Sequence, residues 1–262
     1  MRRTIIGGGI CLLFYLCLSP AQALNNRDNE FGIAIGLNEY QSKDNVLSNI
    51  RHRGMLAAIG FSYSRIGDFR LTEIQLNVSI NSMTSRYESE KSSFAINPSL
   101  NYRQVRRIKD LNENLRLFLG GIGGWNLHNA FYDKWDESHI YWLNSYYIGI
   151  DSRLAYRKSE KSNISLDLNF PLIALISRPP KRFLYKELDP TFSWIFSRIH
   201  DDMTLTSLHR HFEINMKLEY KYGHAYKFKT GFFWRFSYLR NNISYSKPIS
   251  ILTHTIGIRF LF

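Results

Sequence analysis

Beyond position 17 the chain has no cysteine: Cys11 and Cys17, its only two, both lie in the first 23 residues. Disulfides, thiolate catalysis and cysteine-ligated metals are therefore excluded from everything that follows. The same stretch has no run of 18 or more apolar residues and no sustained helical period, so it contains no membrane-spanning helix and no helical bundle. Acidic residues are in deficit, 22 against 34 Lys and Arg. The basic excess is scattered rather than gathered in one patch, which argues against nucleic acid as a partner.

The first 23 residues read as a unit. Arg2 and Arg3 precede an apolar run from Ile5 to Leu18, followed by Pro20 and an Ala21-Gln22-Ala23 ending. That is the three-part form of a secretory signal peptide cleaved after Ala23. Its run is shorter than the roughly 20 residues a membrane span needs, and Leu16 before Cys17 excludes a lipoprotein signal. Cleavage leaves residues 24–262 as one domain, an exported chain that must be stable without disulfides. Aromatics are abundant, with 18 Phe and 16 Tyr, although the average hydropathy is mildly polar. That combination is expected where apolar residues are sorted onto one face of many strands.

A two-residue period runs through ten segments, and in a strand such a period puts apolar and polar residues on opposite faces. It is clearest where Ile74, Leu76, Val78 and Ile80 alternate with Glu73, Gln75, Asn77, Ser79 and Asn81. The same holds for Phe212–Lys221, Tyr226–Tyr238 and Ile164–Phe170. Weaker versions cover Phe31–Tyr40, Gly54–Ser64, Phe94–Arg103, Leu115–Trp125, Tyr141–Arg157 and Ser250–Phe262. Connections alternate between short polar turns and longer loops, with "ESEK" after the third strand as the short exception. The longest runs from Ser177 to about Thr204. A transmembrane β-barrel has this asymmetry, with both ends of an even-stranded chain on the short-turn side. Its aromatic girdles have counterparts in Tyr102, Tyr156, Tyr220, Tyr226 and Phe260 at one level, and in Trp142 and Tyr238 at the other. A soluble β-sandwich also alternates, but no charge interrupts the apolar faces here; the polar exceptions are His254, Asn144 and Ser152. The expectation is an all-β, antiparallel up-and-down transmembrane barrel of about ten strands, or twelve if "TFSWIFSRI" forms a hairpin.

The final residues, "TIGIRFLF", resemble the C-terminal signal of bacterial outer-membrane β-barrel proteins through Thr255, Gly257, Phe260 and the terminal Phe262. The resemblance implies an outer-membrane location and recognition by the outer-membrane assembly machinery through Thr255–Phe262. It also implies closure of the last strand on the first. The strand count is similar to that of the omptin outer-membrane proteases, whose paired catalytic acids and Asp-His arrangement have no convincing counterpart here.

Function is less legible. Alternation directs Arg103, Arg116, Arg153, Arg157, Lys217, Lys221, Lys227, Lys229, Arg235 and Arg259 inward, against Glu73, Asp151, Asp167, Glu213 and Glu219. A lumen so lined is either a narrow anion passage, with Lys229 and Arg235 as candidate ligands, or a packed core of ion pairs, which suits the width of a small barrel. The long loop combines Arg178, Lys181 and Arg182 with aromatics. It is expected to bind an anionic partner such as lipopolysaccharide phosphate, and to fold over the barrel mouth. His209, His211 and Glu213, two apart, are candidate ligands for a metal. Ser207 and His209 share a face, with Asp201 in the adjoining loop, as a hydrolase would need. No cofactor is expected. The role that follows is non-enzymatic: surface binding, narrow transport or envelope maintenance among outer-membrane lipid and lipopolysaccharide. The alternative is an outer-membrane lipase or protease with its site near residues 177–211.

Overall fold

The computed structural model of the chain describes residues 28–44, 51–85, 88–132, 139–178, 183–184, 197–223, 228–242 and 248–262. Ten long strands are present: β1 (Asp28–Asp44), β2 (Arg51–Ile66), β3 (Arg70–Ser85), β4 (Glu88–Asp110), β5 (Leu115–Tyr132), β6 (His139–Arg157), β7 (Ser162–Ser177), β10 (His211–Gly223), β11 (Lys229–Asn241) and β12 (Ile249–Leu261). Two short strands, β8 (Phe183–Leu184) and β9 (Thr204–Ser207), lie in the insert between β7 and β10. Neighbours in the chain pair antiparallel, β7 pairs across the insert with β10, and β12 returns to β1. The sheet therefore closes into a ten-stranded up-and-down barrel, and no long strand is left with an open edge.

At the closing seam the register runs from Gly32↔Leu261 to Asp44↔Ile249. It continues as reciprocal backbone hydrogen bonds of 3.0 and 2.9 Å between Phe31 and Phe262. Gly36 faces Gly257 in this seam. A Cβ on Gly257 would clash with the Ile35 carbonyl and come within 2.7 Å of the Phe233 ring, so a glycine is required there by close approach.

The expected faces hold strand by strand. Phe31, Ile35, Leu37, Ile59, Phe61, Ile74, Leu76, Leu218, Phe232 and Ile256 are exposed on the outside, while Glu73, Arg103, Asp151, Asp167, Glu213, Lys217, Glu219 and Arg259 are buried within. An exposed apolar surface of this extent is not left to water. His254, a polar member of the apolar face, is accommodated by packing: its ring lies 6.2 Å from Trp234 and 5.3 Å from Phe236.

The strands are longer than the alternation suggested. The fourth was expected over Phe94–Arg103 and extends over Glu88–Asp110. A membrane crossing takes about 9–11 residues. Beyond the apolar belt the ladder continues with polar residues on the outer face, such as Glu39, Gln41, Arg51 and Arg53, and periodicity no longer reports it. Both described termini and the turns at 66–70, 110–115 and 157–162 lie at one end of the barrel, the turn end, and the loop end is opposite.

The insert departs from expectation. Its described part does not cover the mouth but packs on the outer wall of β6 and β7. Asn144 donates to the Ile199 carbonyl at 2.7 Å, Tyr146 bonds His200 Nε2 at 2.8 Å, and Ser177 donates to the Asp201 carbonyl at 2.6 Å. Asn144 and Trp142 therefore sit on the outward face yet are buried, so Trp142 is not an open girdle residue. β9 then pairs with β7 and leads into β10. Between Ile173↔Ser207 and Asn169↔Asn215, four residues along β7 face eight along β9 and β10, forming a large bulge at Leu208–Arg210. The signal segment 1–23, Tyr226, Lys227 and positions 191–196 of the suggested hairpin lie outside the described residues; Ser197 and Arg198 at its end are helical.

Candidate functional site

The lumen is layered. At the loop end Tyr40, Met83, Ala95, Ala130, Tyr141, Leu143, Ala174, Ile176, Leu239, Ile249 and Ile251 form a buried apolar plug. These residues share the inward parity, so above the belt the barrel interior is packed like that of a soluble protein. Arg178 falls on the same parity. It is buried, its Nε donates to the Tyr141 hydroxyl, and its guanidinium lies 5.5 Å from the Tyr141 ring. It belongs to the plug rather than to a surface patch. Lys181 and Arg182 lie outside the described residues.

Below the plug is a polar chamber of about 150 Å³ lined by amides and hydroxyls, among them Asn77, Asn97, Asn101, Asn126, Asn169 and Asn215. Tyr147 donates to Asn101 Oδ1 at 2.6 Å, Thr255 to Asn38 Oδ1 at 2.6 Å, and Asn38 to Asn81 Oδ1 at 3.0 Å. Neutral amides carry no charge pattern, which is why alternation placed them without marking them as a group. The volume has room for several waters.

The next layer closes the barrel electrostatically. Arg103 reaches Glu73 at 2.5 Å, Asp167 at 3.1 Å and Asp151 at 3.6 Å. Arg153 grips Asp167 through two bonds of 2.6 and 3.1 Å. Arg259 bridges Glu73 at 2.6 Å and Glu219 at 3.2 Å, and Lys217 meets Glu219 at 2.9 Å. Four cations thus meet four carboxylates across β3, β4, β6, β7, β10 and β12. Burying such charges is tolerable only because each is paired. Arg235 adds a fifth cation beside them, donating to Asn77 Oδ1 at 2.9 Å. Lys229 lies at the turn end and, with Lys221, is paired to Glu30. Glu30 was not anticipated as a lumen residue; it lies one position before the apolar alternation begins.

The metal candidates do not converge. His211 Nε2 and Glu213 Oε2 are 3.4 Å apart inside the barrel, whereas His209 is on the exposed bulge. The bulge breaks the two-residue period that had placed the three together. The hydrolase candidates come together in part. Ser207 Oγ and His209 Nδ1 are 2.9 Å apart at the exposed outer rim. Asp201 turns elsewhere, its carboxylate 3.2 Å from Arg198, and among the described residues no acid completes a triad.

The closed wall, apolar exterior and polar, charge-filled interior agree with one class of solved structures. The fold is that of an outer-membrane β-barrel. The outer membrane protease OmpT from Escherichia coli superposes with a TM-score of 0.51 at 8% identity, over 92% of this chain and 99% of that one. The translocator domain of the autotransporter NalP from Neisseria meningitidis gives 0.37 at 7% identity, covering 97% and 95%. An outer membrane channel from Pseudomonas putida F1 gives 0.34 at 10%, covering 94% and 100%. No family model and no curated protein match the sequence.

Proposed function

We propose that this chain is an integral barrel of the bacterial outer membrane that conducts no solute and acts at its loop-end exterior, by non-enzymatic binding of lipopolysaccharide. The observation that carries this reading is the pair of stacked plugs among the described residues, a buried apolar layer above a layer in which four cations pair with four carboxylates. At the loop end, what this leaves for contact is the outside. There Lys43, Arg51, Arg53, Arg210 and Arg240 follow directly above the apolar belt, facing outward or on the bulge. Arginines at that level suit the phosphates of an outer leaflet, which a guanidinium grips through two parallel bonds. The terminal Phe262 and the closing seam fit assembly into the same membrane.

The test is the purified barrel reconstituted in planar bilayers and titrated with lipopolysaccharide. Unitary conductance should be absent. The triple variant Arg51→Gln, Arg53→Gln, Arg240→Gln should bind lipopolysaccharide at least tenfold more weakly. Discrete current steps, or unchanged binding by the triple variant, overturn the reading.

A second reading rests on the 2.9 Å Ser207–His209 contact, which faces lipid level rather than the lumen. In it, Ser207 Oγ attacks a lipid ester, His209 Nδ1 takes its proton and returns it to the leaving alcohol, and water releases the acyl group. Release of labelled fatty acid from phospholipid or lipopolysaccharide should then vanish with Ser207→Ala. If wild type and variant release it equally slowly, the pair has no such role.

A further inference from the structure

At the turn end, beneath the charge layer, the lumen widens into a cavity of about 510 Å³. That volume falls in the roughly 300–1,000 Å³ range of small-molecule sites. Its cationic wall is formed by Arg116, Arg153, Arg157 and Lys221. Two of these are already committed, Arg153 to Asp167 and Lys221 to Glu30 at 3.1 Å. The other two are not. The nearest carboxylate to Arg116 is Asp110 at 4.0 Å, on an exposed turn. Among the described residues no carboxylate pairs with Arg157.

The pleat brings these two together. Arg116 on β5 faces Ala155 on β6, and Arg157 is two residues further along the same face. Such diagonal neighbours are about 7–8 Å apart, close enough for both forks to reach one anion. Ala155, standing between them, takes up little space. Like charges at this spacing repel, and a shared counter-anion relieves the repulsion. Phe118 stands among these cations, across from Arg153 and two residues from Arg116 on β5. Ile66 and Leu71 extend the apolar lining at the β2–β3 turn, where Asp68 is the one acidic lining residue among those described.

We propose that this vestibule binds a small organic phosphate, its phosphoryl group held between Arg116 and Arg157 and its apolar portion against Phe118, Leu71 and Ile66. A dianionic phosphate matches two guanidinium forks better than a single carboxylate does, since it offers three acceptor oxygens and a second charge. The compartment that supplies the ligand, the periplasm, rests on the membrane orientation proposed above. The site itself does not, and binding to the purified barrel in micelles is independent of that reading.

Phenyl phosphate is the probe, titrated calorimetrically into the full-length mature barrel. Saturable one-to-one binding is expected. Arg116→Gln with Arg157→Gln should weaken it at least tenfold, while Arg65→Gln with Lys109→Gln, exposed cations outside the cavity, should leave it unchanged. Both cations are partly exposed at the mouth, so the double variant should keep the folded mobility on unheated gels. Arg116→Lys with Arg157→Lys keeps the charge without the fork and should bind at an intermediate level. Benzoate should bind more weakly than phenyl phosphate. Absence of saturable binding at millimolar probe, equal binding by the Gln double variant, or equal affinity for benzoate each overturn the proposal.

Discussion

Replacing Arg103 by methionine is expected to destabilise the barrel by about 3–5 kcal/mol, the range for removing one partner of a buried ion pair. Arg103 is the point at which Glu73, Asp151 and Asp167 are neutralised together. Methionine fills much of the space but leaves three buried carboxylates facing one another without their shared cation. Arg153 still holds Asp167 and Arg259 still holds Glu73, so Asp151 is left worst served. The measurement is urea unfolding of the barrel in micelles, followed by tryptophan fluorescence, with the midpoint and slope compared to wild type. The comparison variant is Arg235→Met. Arg235 touches an amide and an aromatic ring but no carboxylate at pairing distance, so its removal should cost less than that of Arg103. A loss below about 1 kcal/mol for Arg103→Met, the level of exposed pairs, would mean the layer is solvated. The non-conducting reading would fall with it.

Deleting Phe262 is expected to abolish assembly in cells while changing stability little. In the folded barrel this residue contributes two backbone bonds to Phe31 and a ring 5.5 Å from Phe228. Its side chain is largely exposed, so little burial is lost. The resemblance of "TIGIRFLF" to an assembly signal predicts a much larger effect on recognition. Folded barrel in the outer-membrane fraction, scored by the mobility shift between heated and unheated gels, should drop at least tenfold. Refolding of the same variant from urea into detergent should proceed nearly as for wild type. Equal loss in both assays would assign Phe262 to closure of the seam alone. Normal insertion in cells would remove it from any signal.

The unequal legibility of this chain has a physical origin. Period-two alternation is a property of the extended backbone, because successive side chains must leave opposite faces. Ile74 to Ile80 therefore announced their side of the wall without any knowledge of their neighbours. The same rule failed wherever the backbone leaves the ladder. The bulge at Leu208–Arg210 separated His209 from His211 and Glu213, and the insert buried Asn144 and Trp142 on a face that parity alone left open. Arg178 was misjudged for the opposite reason: the ladder ran on through Ser177, and parity carried the side chain inward.

By itself, then, the sequence determined the ten strands, which face of each is apolar, the closure of the last on the first, and the inward direction of most of the charges. The strands and their faces follow from local alternation and the order of turns, whereas the closure was implied by the resemblance of "TIGIRFLF" to an outer-membrane assembly signal. The tertiary structure alone decided which charges meet. Arg103 is 64 positions from Asp167 and Arg259 is 186 from Glu73, and no local period connects residues so far apart. Their encounter depends on the register of each strand and the closure of the sheet. Those same two quantities gathered four of the inward cations onto four carboxylates and left the basic excess with Arg235 beside them and with Arg116 and Arg157 at the turn-end mouth.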